Sequence, residues 1–267
     1  MFDSGLGGLT VLREVRYALP HEHIIYLGDT ARVPYGNRSP RTVTRYSLEN
    51  TRFLLGKGIK ALIIACNTSS AVALSVLKRK LPIPVIGVIG PPSREAVRRT
   101  RKKKIGVIGT RATVNSGAYA KAIKKLDPSV EVFSVACPLF VPVVEEGLEN
   151  DGIAGAIVSK YLDGLRDTGI DVLVMGCTHY PILEHRIRAL LGSGVYIVNT
   201  GRETARDVQR LLEKHDAAKD AGRGGCSFYV TDAPDKLMDL GSRVLGEPLK
   251  RAKLVRSLEP PIPASLA

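Results

Sequence analysis

The sequence predicts an α/β fold with mainly parallel sheets covered by helices on both faces. Short, continuous apolar runs rich in β-branched residues recur along the chain, and segments with apolar residues at helical spacing separate them. Strands buried on both faces read as unbroken apolar runs, whereas strands with one wet face alternate. A further observation divides the chain. Two strand ends, one in each half, share a design of small residue, cysteine and polar residues.

In order, the strands fall at residues 23–27, 60–65, 84–89, 105–108, 130–135, 171–176, 195–198 and 227–230. The segment between the second and third carries Val72, Leu74, Val76, Leu77 and Leu81 at helical spacing. Pro82, Pro84, Pro91 and Pro92 punctuate the end of this first series. A basic run follows at 94–104, with seven Lys or Arg against Glu95 alone. It reads as a solvated helix end leading into the strand at 105. A second strand–helix series runs from Ile105 to Val198. The tail offers a helix at 203–215, a glycine-rich turn at 222–225, a strand and a last helix. The division is therefore two α/β domains: 1–90 with 200–267, and 91–199.

The 267 residues are 44% hydrophobic and 24% charged, which excludes wholesale disorder. Apolar stretches such as 61–66 and 172–175 fall far short of the ~18–20 residues of a membrane span. No signal peptide is expected, because Asp3 and a glycine-rich turn follow Met1 directly. Four cysteines without C-x-x-C spacing make neither a disulfide scaffold nor a zinc site. The chain reads as a protein of a reducing compartment, the cytoplasm. A net charge of +13 favours nucleic acid, anionic surfaces or anionic small molecules. Neither a recognition-helix pattern nor aromatic interleaving accompanies the basic run, so nucleic acid is the weaker partner.

The two matched segments are KALIIACNTS at 60–69 and DVLVMGCTHY at 171–180. Each is a buried strand, then a small residue, then Cys66 or Cys177, then polar residues suited to open a helix. The carboxyl end of a parallel strand borders the crevice where α/β proteins bind ligands. A helix start there favours thiolate over thiol, and Asn67, Thr68 and Thr178 are good N-caps. Two such thiols can face each other across an interdomain cleft. Cys137 and Cys226 lack that context and read as small core residues.

Three loops complete the candidate site. The turn at 3–8, DSGLGG, can bring backbone amides to an anion. A dinucleotide fingerprint would need a glycine where Thr10 stands, although Asp29 mimics its ribose-binding acid. The loop 29–36 carries Tyr35 and Gly36. His179 lies two residues beyond Cys177, close enough to orient or protonate its surroundings. Glu145 reads either as a solvated helix position or as an acid near the site.

Together these segments resemble the glutamate racemases of the aspartate/glutamate racemase superfamily. The matching stretches are FDSGLGGLTVL (2–12), LGDTARVPYG (27–36), ACNTSSA (65–71), IGVIGTRATVNSGAY (105–119), CPLFVPVVEEG (137–147) and GCTHYPIL (176–183), with FYVTD (228–232) near the end. The resemblance implies two similar α/β domains with one catalytic cysteine each, Cys66 and Cys177. It implies that Asp3, Ser4, Tyr35, Gly36, Asn67, Thr68, Thr178 and His179 line the substrate site, and that Asp3, Glu145 and His179 assist proton transfer. The implied reaction interconverts L- and D-glutamate for peptidoglycan, without pyridoxal phosphate or metal, and a homodimer is compatible with it. A sister racemase for aspartate or another small acid is the nearest alternative. A basic nucleic-acid-binding protein on the same scaffold and a thiol redox switch are alternatives of other classes.

The chain departs from the family pattern in three places. Only Met1 and Phe2 precede Asp3, where a longer first strand is usual. Gly90 stands where glutamate is common, and Asn199 where aspartate is common.

Overall fold

The computed structural model describes residues 1–256 and Leu258. The first stretch of chain runs β1 (Phe2–Asp3), α1 (Leu9–Ala18), β2 (His23–Gly28), α2 (Pro40–Leu55), β3 (Leu62–Ile64), α3 (Asn67–Lys80), β4 (Val85–Gly87) and α4 (Gly90–Arg99). The second runs β5 (Lys104–Gly109), α5 (Arg111–Asn115), α6 (Ala118–Leu126), β6 (Glu131–Ala136), α7 (Phe140–Glu145), α8 (Gly152–Asp167), β7 (Val172–Gly176), α9 (Glu184–Leu191), β8 (Tyr196–Val198) and α10 (Thr200–Lys214). The chain then finishes with β9 (Gly225–Val230), α11 (Pro234–Leu245) and β10 (Lys253–Leu254).

These strands make two sheets. One has the order β10-β9-β2-β1-β3-β4 and the other β6-β5-β7-β8. Every strand pair in both is parallel. The apolar runs account for this, since β3 and β7 are buried at every position. The first sheet takes strands from both ends of the chain: β2 pairs with β9 from His23↔Gly225 to Gly28↔Val230. The apolar face of α10 (Ala205, Val208, Leu212) joins α1 (Leu9, Val11, Leu12, Val15) in one core cluster. Ala96 of α4 instead packs with Ile105, Val107, Val172 and Val174 of the second sheet.

Local signals set several helix starts. Ser39 caps α2 through Thr42 N, with Pro40 in the first turn, and Asp151 caps α8 through Ile153 N. Asn199 caps α10 by accepting from Arg202 N at 2.9 Å, so asparagine does here what aspartate would do. A side chain at Gly90 would find open space apart from Arg94 Nη1 at 3.5 Å. The basic run is partly absorbed by ion pairs. Arg98 and Arg99 both reach Glu95 at 2.7 Å, and Lys103 reaches Asp127 at 2.6 Å.

Candidate active site

Both matched cysteines lie at the carboxyl ends of interior strands. Cys66 follows Ala65 beyond β3 and occupies the N-cap position of α3. Asn67 and Thr68, expected as caps, are instead the first helical residues. Cys177 follows Gly176 at the end of β7, and its continuation also differs from expectation. The chain makes a 3-10 turn at Tyr180–Leu183 before α9 begins at Glu184, so no α-helix starts at Cys177. Pro181 sits in the first turn of that 3-10 segment, where its missing N–H leaves no bond unmade.

The two thiols line one cleft of about 500 Å³ between the sheets. Ser4, Tyr35, Gly36, Asn67, Thr68, Glu145, Thr178 and His179 line it with them. Asp3 does not. It is fully buried beneath the cleft, where its carboxylate accepts from Gly5 N at 3.0 Å. It reaches the site through Thr178 Oγ1, which lies 3.5 Å from Oδ1.

Cys66 Sγ lies 3.5 Å from Ser4 Oγ. Burial, followed by the Asp3 charge, pushes its thiol up to about 11, outweighing hydrogen bonds from Ser4 and Ser69 that favour thiolate. The helix-start argument for a ready thiolate at Cys66 is thus overridden by its surroundings. Around Cys177 a chain of groups forms. His179 Nδ1 lies 3.8 Å from Cys177 Sγ, and His179 Nε2 lies 3.1 Å from Glu145 Oε1. Burial alone would lower the imidazole, but hydrogen bonds and charges from Cys177 and Glu145 outweigh it and raise it to about 10. Glu145 is pushed up by burial and, more strongly, held below the usual carboxylate range by His179 and Lys236. An imidazolium therefore sits beside Cys177 at neutral pH, flanked by a carboxylate.

Close packing fixes the Cys177 turn. A Cβ at Gly7 would fall 2.4 Å from His179 Nδ1 and 2.5 Å from Thr178 Oγ1. The Thr10 hydroxyl, within 2.8 Å of Thr178 O and 3.0 Å of Gly7 O, ties the same turn to the start of α1. A Cβ at Gly176 would meet Ile108 O at 2.8 Å and the Tyr119 ring at 2.9 Å.

Tyr35 presents no hydroxyl to the cleft, because its phenol donates to Asp29 while Asn50 Nδ2 donates to it at 3.1 Å. Asp29 also holds Arg32 and Thr231 and is fully buried. That engagement removes it as the ribose-binding acid of a dinucleotide site. Cys137 is fully buried in the second sheet's core, and Cys226 is half-buried on β9. Among the described residues no group of three or more His, Cys, Asp or Glu could hold a metal ion. Nor is any helix among them long and apolar enough to cross a membrane.

Sequence reasoning passed over several cleft residues. Thr110 and Arg111 open α5, and the Thr68, Thr110 and Thr113 hydroxyls lie within 3.0–3.2 Å of one another. Pro138, Leu139, Val141, Pro142 and Tyr161 form an apolar wall. Thr110 and Arg111 lay inside the motif 105–119, but only contact with Thr68 from the other sheet reveals their place.

Two parallel-sheet lobes each deliver a thiol to a shared cleft, an arrangement suited to moving a proton at a carbon held between them. Comparison with known proteins agrees. Residues 9–208 match the family model for Asp/Glu/hydantoin racemase. A glutamate racemase of Geobacter metallireducens is 51% identical over 92% of both chains. The crystal structure of a glutamate racemase isoform from Bacillus anthracis superposes with a TM-score of 0.92 at 40% identity, covering 95% of each chain. That of Francisella tularensis glutamate racemase, in complex with D-glutamate, gives 0.90 at 37% identity over 97% and 96%. A Pyrococcus horikoshii aspartate racemase homologue, at 16% identity and a TM-score of 0.55, shares the fold alone. The chain belongs to the Asp/Glu/hydantoin racemase family and stands among its glutamate racemases.

Proposed function

We propose that the protein interconverts L- and D-glutamate, with Cys66 and Cys177 exchanging protons with opposite faces of Cα. The observation that carries this reading is the delivery of one thiol from each sheet to a single cleft. Inverting a stereocentre requires taking a proton from one face and returning one to the other. A thiolate and a thiol do so without turning the substrate over, and the pair shares one proton between them. Cys177 takes the proton from L-glutamate and Cys66 from D-glutamate, each donating in the reverse direction.

The surroundings of the two thiols differ. Burial and Asp3 push the Cys66 thiol up, whereas Cys177 Sγ has the His179 ring 3.8 Å away. Each turnover leaves the proton arrangement of the pair reversed. The Cα proton is weakly acidic, so charge developing on the α-carboxylate needs fixed donors in a cleft that excludes water. The first amides of α3, the Thr68 hydroxyl and Thr178 are placed to supply them. Arg111, the one Lys or Arg lining the cleft among the described residues, attracts a substrate with two carboxylates and a net negative charge.

On this reading residues 1–90 with 200–256 form one domain and 91–199 the other, with chemistry at their interface; the rest of the span expected for the first domain, to 267, lies outside the described residues apart from Leu258. The protein acts in the cytoplasm, needs no cofactor and supplies D-glutamate for peptidoglycan. Circular dichroism of purified protein with each enantiomer tests it. The signal of either decays to zero without added cofactor, and in deuterated water each inversion places deuterium at Cα. Rapid turnover of aspartate but not glutamate, or full retention of the original hydrogen, would refute it.

A further inference from the structure

Tyr119, which has no role in the mechanism above, touches the turns of both cysteines. It lies on α6 and is 2% exposed. Its ring packs against Gly176, the residue before Cys177, closely enough that only glycine fits there. Its hydroxyl crosses to the other lobe and lies 2.6 Å from Oδ1 of Asn67, the residue after Cys66. The same hydroxyl lies 3.1 Å from Val88 O. A phenol has one proton to give, and the shorter contact takes it.

The other end of the Asn67 amide is the unusual feature. Asn67 lines the cleft and is 3% exposed, yet its Nδ2 is buried with no hydrogen-bond partner. Buried amide donors in folded proteins are nearly always paired, so an orphan at the edge of a cleft marks a place kept for a ligand acceptor. With Oδ1 engaged by the phenol, the amide cannot rotate without breaking that bond.

We propose that Tyr119 is a positioning residue: its hydroxyl holds the Asn67 side chain so that Nδ2 donates to a carboxylate oxygen of the bound amino acid. This rests on the racemase reading and adds to it a contact that spans both lobes. The ring sets the backbone before one cysteine while the hydroxyl sets the amide after the other. Burial, followed by the charge of Cys177, keeps the phenol protonated, so the donor persists across the working pH range.

Tyr119→Phe retains the ring against Gly176 and removes only the hydroxyl. The expected result is a loss of about 10- to 100-fold in kcat/KM, the worth of one hydrogen bond to a charged group. The loss is equal for L- and D-glutamate, because enantiomers are equal in free energy and the ratio of the two kcat/KM values stays at one. Asn67→Ala shows a similar loss, and Tyr119→Phe added to it changes kcat/KM less than twofold. A merely structural tyrosine would instead give losses that multiply. Multiplied losses, or parental kcat/KM in Tyr119→Phe alone, overturn the proposal. A second measurement does not depend on turnover. In nitrogen-15 spectra of the free protein, the Asn67 side-chain amide pair shifts or broadens in Tyr119→Phe, and an unchanged pair overturns the proposal. A parent protein that fails to racemise glutamate would instead strike the underlying reading.

Discussion

Gly7→Ala gives the sharpest test of the packing that holds the Cys177 turn. Gly7 has no left-handed φ, so alanine strains no backbone there. The obstacle is contact alone: the new methyl would lie 2.4 Å from His179 Nδ1, 2.5 Å from Thr178 Oγ1 and 2.6 Å from His179 Cε1. Ordinary contacts of this kind are about 3.5–4.0 Å, so something must move by about 1 Å. His179 and Thr178 are 5% and 6% exposed, and Glu145 and Thr10 tether their turn at 3.1 and 2.8 Å. The turn therefore shifts as a unit and carries Cys177 with it. A misplacement of about 1 Å costs about 100-fold in rate, or about 2.7 kcal/mol of barrier. Initial rates by circular dichroism should show that fall in both directions. Overpacking of this kind costs about 1–3 kcal/mol of stability, so the variant melts lower but stays folded. Gly152→Ala is the control, since a methyl there meets nothing within 4 Å. A folded Gly7→Ala variant turning over within threefold of the parent would refute the reasoning.

Two further outcomes follow from the site. Cys66→Ser and Cys177→Ser should each lower kcat/KM for both enantiomers by about 10²–10⁴, since each removes a proton-transfer group. Either variant keeping a tenth of parental kcat/KM would take that sulfur out of the chemistry. Glu145→Gln should lower the imidazole of His179 from about 10. Because folding raises this group above the ordinary 6.5, its contribution to stability is full below about pH 6.5 and is lost as pH climbs toward 10. The variant should flatten that decline in urea melts taken across the range, and a His179 titration unchanged by nuclear magnetic resonance would contradict the ion pair.

The sheet framework and both thiol turns were legible because their signals are local: an apolar run, a small residue, a cysteine, then polar residues. β1 and β10 escaped because each has two residues, too few for any periodicity, and exists only through pairing with distant strands. The helix expected at Cys177 gave way to a 3-10 turn. Asp3 was read as a wall of the cleft and lies beneath it, since no pattern distinguishes a buried carboxylate under a site from one within it. Thr110, Arg111 and Tyr119 sat inside a quoted motif without attracting notice. Their importance comes from Thr68 and Asn67 across the cleft, and such partnerships are set by tertiary structure.

The pairing of β2 with β9 has a consequence for how the chain is made. Almost two hundred residues separate Gly28 from Gly225, and at about 5–20 residues per second a ribosome needs roughly 10–40 s to cover them. During that interval the entire β5–β8 sheet emerges and can close, while the flank of β2 waits with its backbone groups unpaired. Exposed strand edges recruit other strands. The nascent polypeptide is thus most prone to aggregate in the middle of translation, and chaperone capture should be strongest before Val230 leaves the exit tunnel.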